Sequence, residues 1–478
     1  MATVVVVGGG ISGLAAAYYL QRNAAKLGKV ILLESSKRTG GWMNSVQHGD
    51  GSVFEHGPRS LRPAGKAGRN TLHLVEELGL SKDILVVRRS DPAAKNRFLY
   101  VGHKLCALPN SISGVVKTVP PFSRPLLVTL MGEAFAKKNT SPDETIHDFM
   151  QRRLGKEFAD YAVDAVCRGI FAADCRQLSM RSCFPDIFTL ERQHGSLTMG
   201  MLKARGSKLE NASPLESRAK SEGWASWSLR QGLQQLSDTM TTAVNSNPKC
   251  EVRTHTPCWS LVPSSGKIKV CTEGEEILAD HVFSAAYSRD LAALLTKDFA
   301  ELRSELESIK AVSVYVVNLE YLGDHLPLQG FGHLLPSCEN PNVLGVVYDS
   351  CTFPQHNRRD NPSTRLTVML GGAWFDGLRT EAGDLPTEER VIEIATGAVC
   401  EQLGISHDIQ PSKVKVILQK ECIPQYTLGH ADRLSRIALN LSKSGLPLRL
   451  IGSSYRGVSV NDCINNARME VEGLLCSL

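Results

Sequence analysis

Three glycines near the amino terminus have the spacing that binds the phosphates of a dinucleotide. Gly8, Gly10 and Gly13 follow a run of four valines at residues 4–7, and this run predicts a strand buried on both faces. In a G-x-G-x-x-G fingerprint the first glycine makes the tight turn, the second admits the pyrophosphate and the third lets the helix pack on the strand. The next helix points its free N–H groups and its dipole at the phosphates.

An acidic residue stands where the ribose of a bound dinucleotide needs a hydrogen-bond acceptor. Glu34 directly follows a second apolar run at residues 29–33, about 20 residues after the last of the three glycines, as the fingerprint requires. Strand, glycine turn, helix, strand and acid together predict a βαβ unit that binds a dinucleotide. The fingerprint itself fits NAD and FAD alike.

Further glycine-containing segments could approach the same ligand. Gly40 and Gly41 are adjacent, and two glycines in a row allow a second close approach of the main chain. Gly57-Pro58-Arg59 is compatible with a loop beside a cofactor and also with a plain surface turn. Near the carboxyl terminus a helix is predicted to open after Val458, either beside the cofactor or as a routine terminal helix.

The length, charge and composition of the chain limit the classes of protein to which it can belong. A chain of 478 residues with a net charge of +5 is long enough for two or three domains and gives no electrostatic reason to bind nucleic acid. No apolar run reaches the ~18–20 residues that a membrane-spanning helix needs. The first strand begins near residue 3, which predicts that no cleavable presequence precedes it. The thirteen cysteines lack C-x-x-C spacing and indicate buried free thiols rather than a metal site.

A second sheet is predicted in the carboxyl-terminal half. Apolar residues run or alternate at 311–319, 331–335, 343–348 and 365–370, and this pattern predicts antiparallel strands of a separate domain. No Ser-His-Asp or metal-ligand constellation is present in the sequence. We therefore assign no catalytic side chain and no metal ligand.

Residues 101–140 differ in composition from the rest of the chain. They contain five Lys or Arg against one Glu, with several prolines and with Phe122, Leu126, Leu127 and Leu130 as apolar residues. Such a segment could present an apolar face surrounded by cations to an anionic bilayer. An inserted helical subdomain that packs on itself explains the same composition, so both interpretations stay open.

Taken together, these motifs resemble the flavin amine oxidase superfamily, and in particular its animal mitochondrial branch that oxidises porphyrinogens. The similarity covers nearly the full length of the chain. In this superfamily the corresponding segment is usually Gly-Gly-Arg. Here it is Gly40-Gly41-Trp42, so any charge contact of that arginine is lost. The resemblance is carried by residues 8–13, 34–35, 40–42, 57–59, 96–100, 227–229, 329–334, 423–430 and 457–462.

The resemblance implies an α/β and α+β fold with three parts. A discontinuous Rossmann-like FAD-binding domain comprises residues 1–90, 205–285 and 415–478. Residues 91–204 form a helical, membrane-associating insertion, and residues 286–414 form a substrate-binding domain with a mixed or antiparallel sheet.

The resemblance also assigns site residues. Arg97 would pair with a substrate carboxylate, for which the forked guanidinium is suited, although by type alone a solvated arginine at the end of a strand is the better interpretation. The apolar substrate residues are by type alone ordinary sheet core. The full substrate set is Arg97, Phe331, Gly332, Leu334, Val347 and Met369. The cofactor set is Gly8, Gly9, Gly10, Ile11, Ser12, Gly13, Glu34, Ser35, Trp42, Gly57, Pro58, Arg59, Ser60, Pro257, Ser453, Val458, Ser459 and Val460.

The implied activity is the six-electron oxidation of protoporphyrinogen IX to protoporphyrin IX, the penultimate step of haem biosynthesis. Non-covalent FAD would accept hydride at N5, and O2 would re-oxidise it to give H2O2. Implied partners are an anionic membrane surface, a second copy of the chain in a homodimer, and a docked ferrochelatase. The implied location is the intermembrane-space side of the mitochondrial inner membrane, attached peripherally.

Two rival functions are compatible with the cofactor motifs. One is a flavin oxidase that acts on amines or polyenes, against which the Arg97 and Phe331 segments argue, because an amine needs no carboxylate-binding arginine. The other is a non-catalytic binding protein resembling the GDP dissociation inhibitors of small GTPases. That class binds no flavin, and the intact glycines near both ends of the chain disfavour it.

Overall fold

The computed structural model describes residues 2–203 and 212–478, so the predicted boundary at residues 204–205 lies outside the described residues. Within them the strands are, in chain order, β1 (Thr3–Val7), β2 (Lys29–Leu33), β3 (Ser45–Gln47), β4 (Val53–Glu55), β5 (Ile84–Arg88), β6 (Phe98–Val101), β7 (Lys104–Ala107), β8 (Trp224–Leu229), β9 (Cys250–Arg253), β10 (Cys258–Ser264), β11 (Lys267–Thr272), β12 (Glu275–Ala279), β13 (His281–Ser284), β14 (Ala311–Leu322), β15 (Gly332–Leu334), β16 (Val343–Tyr348), β17 (Ser363–Gly371), β18 (Lys413–Pro424) and β19 (Leu448–Leu450).

The same residues form α-helices throughout the chain. In chain order these are α1 (Ile11–Gln21), α2 (Gly65–Glu77), α3 (Pro92–Lys95), α4 (Ile112–Val116), α5 (Leu126–Glu133), α6 (Ile146–Leu154), α7 (Asp164–Phe171), α8 (Met180–Cys183), α9 (Pro185–His194), α10 (Leu197–Lys203), α11 (Pro214–Ser221), α12 (Gln234–Asn245), α13 (Ser288–Leu294), α14 (Ala300–Glu307), α15 (Asp349–Thr352), α16 (Glu388–Leu403), α17 (His430–Ser444) and α18 (Val460–Leu475).

The valine strand lies at the centre of a five-stranded parallel sheet. The strand order is β19-β13-β1-β2-β9, and each neighbouring pair is parallel. Val4 and Val6 pack on one face, with helices α1, α12 and α18, while Val5 and Val7 pack on the other, with strands β10–β12 and helices α13, α14 and α17. The strand is therefore buried on both faces, which confirms the interpretation of the valine run.

A second sheet of seven strands forms the other half of the molecule. Its order is β18-β14-β17-β16-β15-β6-β7, and its pairs are antiparallel except β15 with β6. Helix α16 covers one face. The opposite face packs near Ala172, which directly follows α7, and carries Leu344, Met369 and Ile423. The predicted strands at 311–319, 331–335, 343–348 and 365–370 are thus confirmed.

Helices α4–α10 form a separate group, which is inserted in the chain between strands β7 and β8. A buried ion network holds it together: Arg153 pairs with Glu133 and Glu191, and all three side chains are at most 2% exposed. Glu133 also accepts hydrogen bonds from the backbone N–H groups of Leu197 and Thr198 at 2.7 and 3.1 Å. The end of α5 therefore caps the start of α10.

Three predicted domain limits differ from the observed ones. Strand β18 was assigned to the cofactor domain, but it pairs along its length with β14. Strands β6 and β7 were assigned to the helical insertion, yet they form the opposite edge of the same seven-stranded sheet. Helices α13 and α14 were assigned to the substrate domain, whereas Leu291, Leu302 and Leu306 bury them against the parallel sheet. Across the described ranges no helix combines the length and the hydropathy that crossing a bilayer requires.

Candidate flavin and substrate site

The amino-terminal glycines form a turn that only glycine can occupy. Gly8 has φ of +101°, a backbone conformation that L-residues with a side chain rarely adopt. A Cβ on Gly13 would lie 1.9 Å from the carbonyl oxygen of Gly8, so helix α1 packs directly on strand β1. Helix α1 is capped by Gly10 with no side-chain hydrogen bond, which leaves its first N–H groups available to an anion.

The carboxylate of Glu34 lies at the edge of this turn. It accepts hydrogen bonds from the backbone N–H groups of Gly9 and Ser36, both at 2.7 Å. Pro257 is next to this edge, because the N–H of Thr256 donates to the carbonyl of Glu34 at 2.8 Å. Glu34 is thus positioned at the carboxyl end of β2, where the ribose of a dinucleotide binds in this fold.

A second glycine turn faces the first. The N–H of Gly40 donates to the carbonyl of Gly9 at 2.8 Å, and a Cβ on Gly41 would lie 3.1 Å from the Cα of Gly10. Arg38, which is absent from the predicted cofactor set, donates to the carbonyl oxygens of Gly41 and Met43 at 2.6 and 2.9 Å. A cation next to two glycines was the available signal, since such a turn leaves carbonyls that need donors.

Trp42 connects this turn to the seven-stranded sheet. Its indole Nε1 donates to the hydroxyl of Tyr287 at 2.7 Å. The Tyr287 hydroxyl donates in turn to the carbonyl of Cys422 on β18 at 2.6 Å. Trp42 therefore begins a neutral hydrogen-bond chain at the position of the usual arginine, and no sequence pattern indicated Tyr287.

The Gly57-Pro58-Arg59 segment packs against the Trp42 turn. A Cβ on Gly57 would lie 2.0 Å from the carbonyl oxygen of Trp42. Arg59 is buried and pairs with Asp349 at 2.8 Å, which holds this loop against the end of β16. Its second terminal nitrogen, Nη2, is also buried and has no hydrogen-bond partner among the described residues. A buried guanidinium nitrogen of this kind is available to donate a hydrogen bond to a bound ligand.

One cavity joins the cofactor loops to the seven-stranded sheet. It has a volume of about 570 Å³ and is lined mainly by apolar side chains. All six residues predicted to contact substrate line it, namely Arg97, Phe331, Gly332, Leu334, Val347 and Met369. Six residues of the predicted cofactor set line it as well, namely Trp42, Gly57, Pro58, Arg59, Ser60 and Val458.

The remaining cofactor residues lie outside the cavity, near the two glycine turns or at the start of α18. A Cβ on Gly452 would be 3.9 Å from the hydroxyl of Ser12, so the loop that contains Ser453 is next to the first turn of α1. Ser459 caps α18 in a capping box with Asp462, and Val460 is the first residue of that helix.

Two buried polar groups at the site belong to neither predicted residue set: His333, which lines the cavity, and Glu55, which does not. His333 donates or accepts at both ring nitrogens, at 2.8 Å to Tyr348 and 2.7 Å to Gln402, and burial lowers its pKa to about 4. The ring is therefore neutral and fixes the strand between Phe331 and Leu334. Burial also raises the pKa of Glu55, on β4, to about 7.

These features fit a flavin dinucleotide. Two facing glycine turns leave room for a pyrophosphate, a free helix N-terminus can hold its charge, and Glu34 can accept from ribose hydroxyls. The orphaned Nη2 of Arg59 lies where the same groove meets the cavity. This arrangement is that of an oxidoreductase whose apolar substrate chamber adjoins a dinucleotide groove.

Comparison with known proteins defines the class. Residues 11–475 match the family described as flavin containing amine oxidoreductase. The human protoporphyrinogen oxidase is 47% identical, covering 99% of this chain and 98% of its own length. That of Schizosaccharomyces pombe is 34% identical, covering 97% and 96%. The chain therefore belongs to the flavin containing amine oxidoreductase family and, within it, to the protoporphyrinogen oxidases.

Solved structures agree with the fold. A putative protoporphyrinogen oxidase from Exiguobacterium sp. 255-15 superimposes with a TM-score of 0.78 at 22% identity, covering 100% of this chain and 99% of that one. Cyclohexylamine oxidase from Brevibacterium oxydans IH-35A gives 0.67 at 15% identity, covering 99% of both chains. At these identities the likeness describes the architecture alone.

Proposed function

We propose that this protein oxidises protoporphyrinogen IX to protoporphyrin IX, with non-covalent FAD as electron acceptor and O2 as the final oxidant. The observation that carries the proposal is a cavity that joins the predicted flavin-binding loops to an apolar chamber with arginine on its lining. A tetrapyrrole has a broad apolar body and two propionates, so it needs both surfaces. The family names of the relatives agree with this substrate.

The side chains have the task of binding and orienting. FAD, when bound, supplies the redox chemistry. The apolar side chains of Phe331, Leu334 and Met369 hold the macrocycle and exclude water. The ion pair of Arg59 with Asp349 keeps the cofactor loop fixed against the substrate sheet.

Anaerobic mixing with the substrate tests this function. Purified protein should be yellow. Anaerobic addition of protoporphyrinogen IX should bleach the flavin absorbance, and the Soret band of the porphyrin should appear when O2 is admitted. A primary amine should leave the flavin oxidised. A colourless folded protein would favour the non-catalytic binder, and bleaching by the amine alone would favour the amine oxidase.

Arg97 provides a second test of the substrate. Replacement with alanine should raise KM for the free acid about tenfold, the effect expected when one charge-assisted hydrogen bond is lost, and leave the flavin spectrum unchanged. Arg97→Lys should restore only part of the affinity, because an ammonium group cannot fork onto a carboxylate. An unchanged KM in the alanine variant would contradict the role of Arg97.

We also propose that the helical insertion attaches the enzyme peripherally to an anionic membrane. An apolar stripe runs along one side of α5 and just beyond it: Leu127, Val128, Met131 and Phe135 are 41%, 49%, 63% and 89% exposed. Met199 and Met201 on the adjacent α10 are also exposed. Exposed cations at 124, 137 and 138 flank the stripe. Exposed apolar residues beside cations are typical of a surface that binds anionic lipid.

The predicted membrane contacts are partly wrong. Phe122 stacks on Phe158 at 6.0 Å between ring centroids and packs with Leu99 in a core cluster. Leu126 and Leu130 are half-buried, so Leu127 alone of the four expected residues is exposed. The helix turns the intervening positions inward, because residues three and four apart share one face.

Vesicle co-sedimentation tests the membrane proposal. Cardiolipin-containing vesicles should pellet the protein at low salt, and Met131→Ser combined with Phe135→Ser should release it with flavin still bound. Leu439→Ser is the matched control, because Leu439 is 54% exposed on α17 in the cofactor half. Equal sedimentation of the double variant and wild type would contradict the assignment.

The remaining expectations are part of the same proposal. Location at the mitochondrial inner membrane, on its intermembrane-space side, rests on the family resemblance. Homodimerisation predicts a doubled mass in sedimentation velocity. Docking of a ferrochelatase predicts co-purification of the two enzymes with a fixed stoichiometry.

A further inference from the structure

Two arginines that line the cavity lack a counter-charge. Arg62 and Arg97 both contribute to its lining, and among the described residues neither guanidinium forms a hydrogen bond or an ion pair. Arg59, which lines the same cavity, is by contrast paired with Asp349. The cavity lining therefore has one neutralised arginine and two whose charge is not neutralised.

The two unpaired charges are close enough to affect each other. Burial first, and then the positive charge of Arg62, lower the pKa of Arg97. Like charges held near one another at an apolar surface are unfavourable unless an anion binds between or beside them. The remainder of the lining is mainly apolar, so that anion has to come from the occupant of the cavity.

The main chain of each arginine is fixed by a different half of the molecule. The Nδ2 of Asn461 on α18 donates to the carbonyl of Arg62 at 2.9 Å. The neighbour of Arg97, Asn96, donates through Nδ2 to the carbonyl of Gln329 at 2.9 Å and accepts from the N–H of Phe331 at 3.1 Å. Arg62 is thus held by the cofactor half and Arg97 by the substrate sheet.

We propose that Arg62 and Arg97 bind the two substrate carboxylates, one guanidinium for each, so that the site selects a tetrapyrrole with two acidic side chains on one edge. This inference rests on the proposed function and deepens it. One arginine leaves the flat macrocycle free to pivot about its carboxylate. Two arginines on separate supports fix its rotation, so that the same edge enters the cavity towards the cofactor loops. Arg62 is a positioning and specificity residue in this arrangement.

Esterified substrates test the contribution of the two carboxylates to binding separately from that of the macrocycle. We would measure kcat and KM for protoporphyrinogen IX, its monomethyl esters and its dimethyl ester in one detergent, using the flavin-loaded full chain. Arg62→Ala should raise KM for the diacid about tenfold, as expected for one charge-assisted contact, and change kcat less than about twofold. The same variant should not alter KM for the dimethyl ester.

Matched variants make the result specific. Arg62→Ala combined with Arg97→Ala should abolish the preference of the enzyme for diacid over diester. Arg89→Ala is the control, because Arg89 is exposed but does not line the cavity, and it should behave as wild type. If Arg62→Ala fails to retain flavin, Arg62→Gln removes the charge with less loss of volume and should show the same selective rise in KM.

Three outcomes would overturn the inference. They are an unchanged KM for the diacid in the Arg62 variants, an equal loss on diacid and diester, or a wild-type enzyme that uses the diester as well as the diacid. Each can occur while wild-type protein still bleaches with protoporphyrinogen IX. Failure of that bleaching would instead refute the proposed function itself, so the two failures are distinguishable.

Discussion

The two halves of this molecule build their binding surfaces from different parts of the chain. In the cofactor half the surface is main chain: two glycine turns face each other, and Gly40 donates directly to the carbonyl of Gly9. In the substrate half the surface is side chain: Leu334 comes from β15, Phe331 directly precedes that strand, and Met369 comes from β17. A groove made of main chain tolerates no added atom, whereas a lining made of side chains can exchange one apolar residue for another.

This difference predicts unequal sensitivity to substitution. A methyl group added at Gly13 collides with a carbonyl that cannot move without distorting β1. A change of size at Met369 is absorbed in part by neighbouring flexible side chains. The substitutions below test that inequality, starting with the one for which we expect the largest effect.

Gly13→Val should abolish flavin binding and strongly destabilise the fold. A Cβ at this position would lie 1.9 Å from the carbonyl oxygen of Gly8, so helix α1 would have to move away from strand β1. We expect no flavin absorbance in the purified variant and a large fall in its melting temperature.

Gly397→Val is the matched control for this change. Gly397 lies inside α16, and a Cβ there would meet nothing within 4 Å. The control should change the stability only by the difference in helix propensity, which is under about 1 kcal/mol and favours valine. A Gly13→Val protein that binds flavin as well as the control would refute the main-chain description of the groove.

Glu55→Gln should remove a pH dependence that arises where the two halves meet. Burial raises the pKa of Glu55 to about 7, although Ser45, the N–H of Leu233 and Arg59 oppose this shift. The carboxyl is protonated in the folded state below pH 7 and ionised in the unfolded state above about 4.5. Its stabilising contribution is therefore complete below that unfolded value and is lost as the pH rises towards 7.

The measurement is the free energy of unfolding of wild type and variant from pH 5 to pH 8. Wild type should lose up to about 3 kcal/mol relative to Glu55→Gln across this range, since one pKa unit corresponds to about 1.4 kcal/mol. Glutamine keeps an amide oxygen that can accept from the N–H of Leu233 or from the hydroxyl of Ser45, both of which donate to Glu55. A constant difference between the two proteins at every pH would show that Glu55 is ionised when folded.

The two binding surfaces also differ in how far they could be predicted from the sequence. The cofactor site was predictable because Gly8, Gly10, Gly13 and Glu34 are consecutive parts of one βαβ unit with fixed spacing. The partners that complete it were not, because Tyr287 and Asp349 reach it from distant segments. Their hydrogen bonds to Trp42 and Arg59 depend on how the halves pack, which local periodicity does not encode.

The substrate site was named through family resemblance rather than from residue pattern. Phe331, Val347 and Met369 are indistinguishable in the sequence from ordinary sheet core. Arg62 carried no signal at all, because a single arginine before Pro63 is typical of any surface loop. The boundary errors have the same origin, since β6, β7 and β18 join one sheet from segments more than 300 residues apart.

Glu34→Ala should weaken flavin retention without unfolding the protein. The carboxylate now accepts from Gly9 and Ser36 at 2.7 Å, and with a dinucleotide bound it can accept from ribose hydroxyls as well. Loss of charge-assisted hydrogen bonds of about 1.5–3 kcal/mol corresponds to roughly 10- to 100-fold weaker binding. Dialysis followed by the flavin-to-protein absorbance ratio measures this change.

The control for this substitution is an acid on the next strand. Glu251 on β9 is half-buried like Glu34 but lies outside both glycine turns, so Glu251→Ala should keep its flavin through the same dialysis. Equal retention in the two variants would mean that main chain alone holds the cofactor, which would make the contrast between the halves sharper than we propose.

The smallest expected effect comes from the hydrogen-bond chain that connects the halves. Tyr287→Phe leaves the indole N–H of Trp42 and the carbonyl of Cys422 without their shared partner, and a buried unpaired group costs about 1–3 kcal/mol. Tyr315→Phe is the control, since Tyr315 is a buried tyrosine whose hydroxyl makes no hydrogen bond among the described residues. Thermal unfolding should show Tyr287→Phe destabilised and Tyr315→Phe nearly unchanged. Equal stability of the two variants would show that the halves are held together by apolar packing and by the Arg59–Asp349 pair, with no contribution from the Trp42 turn.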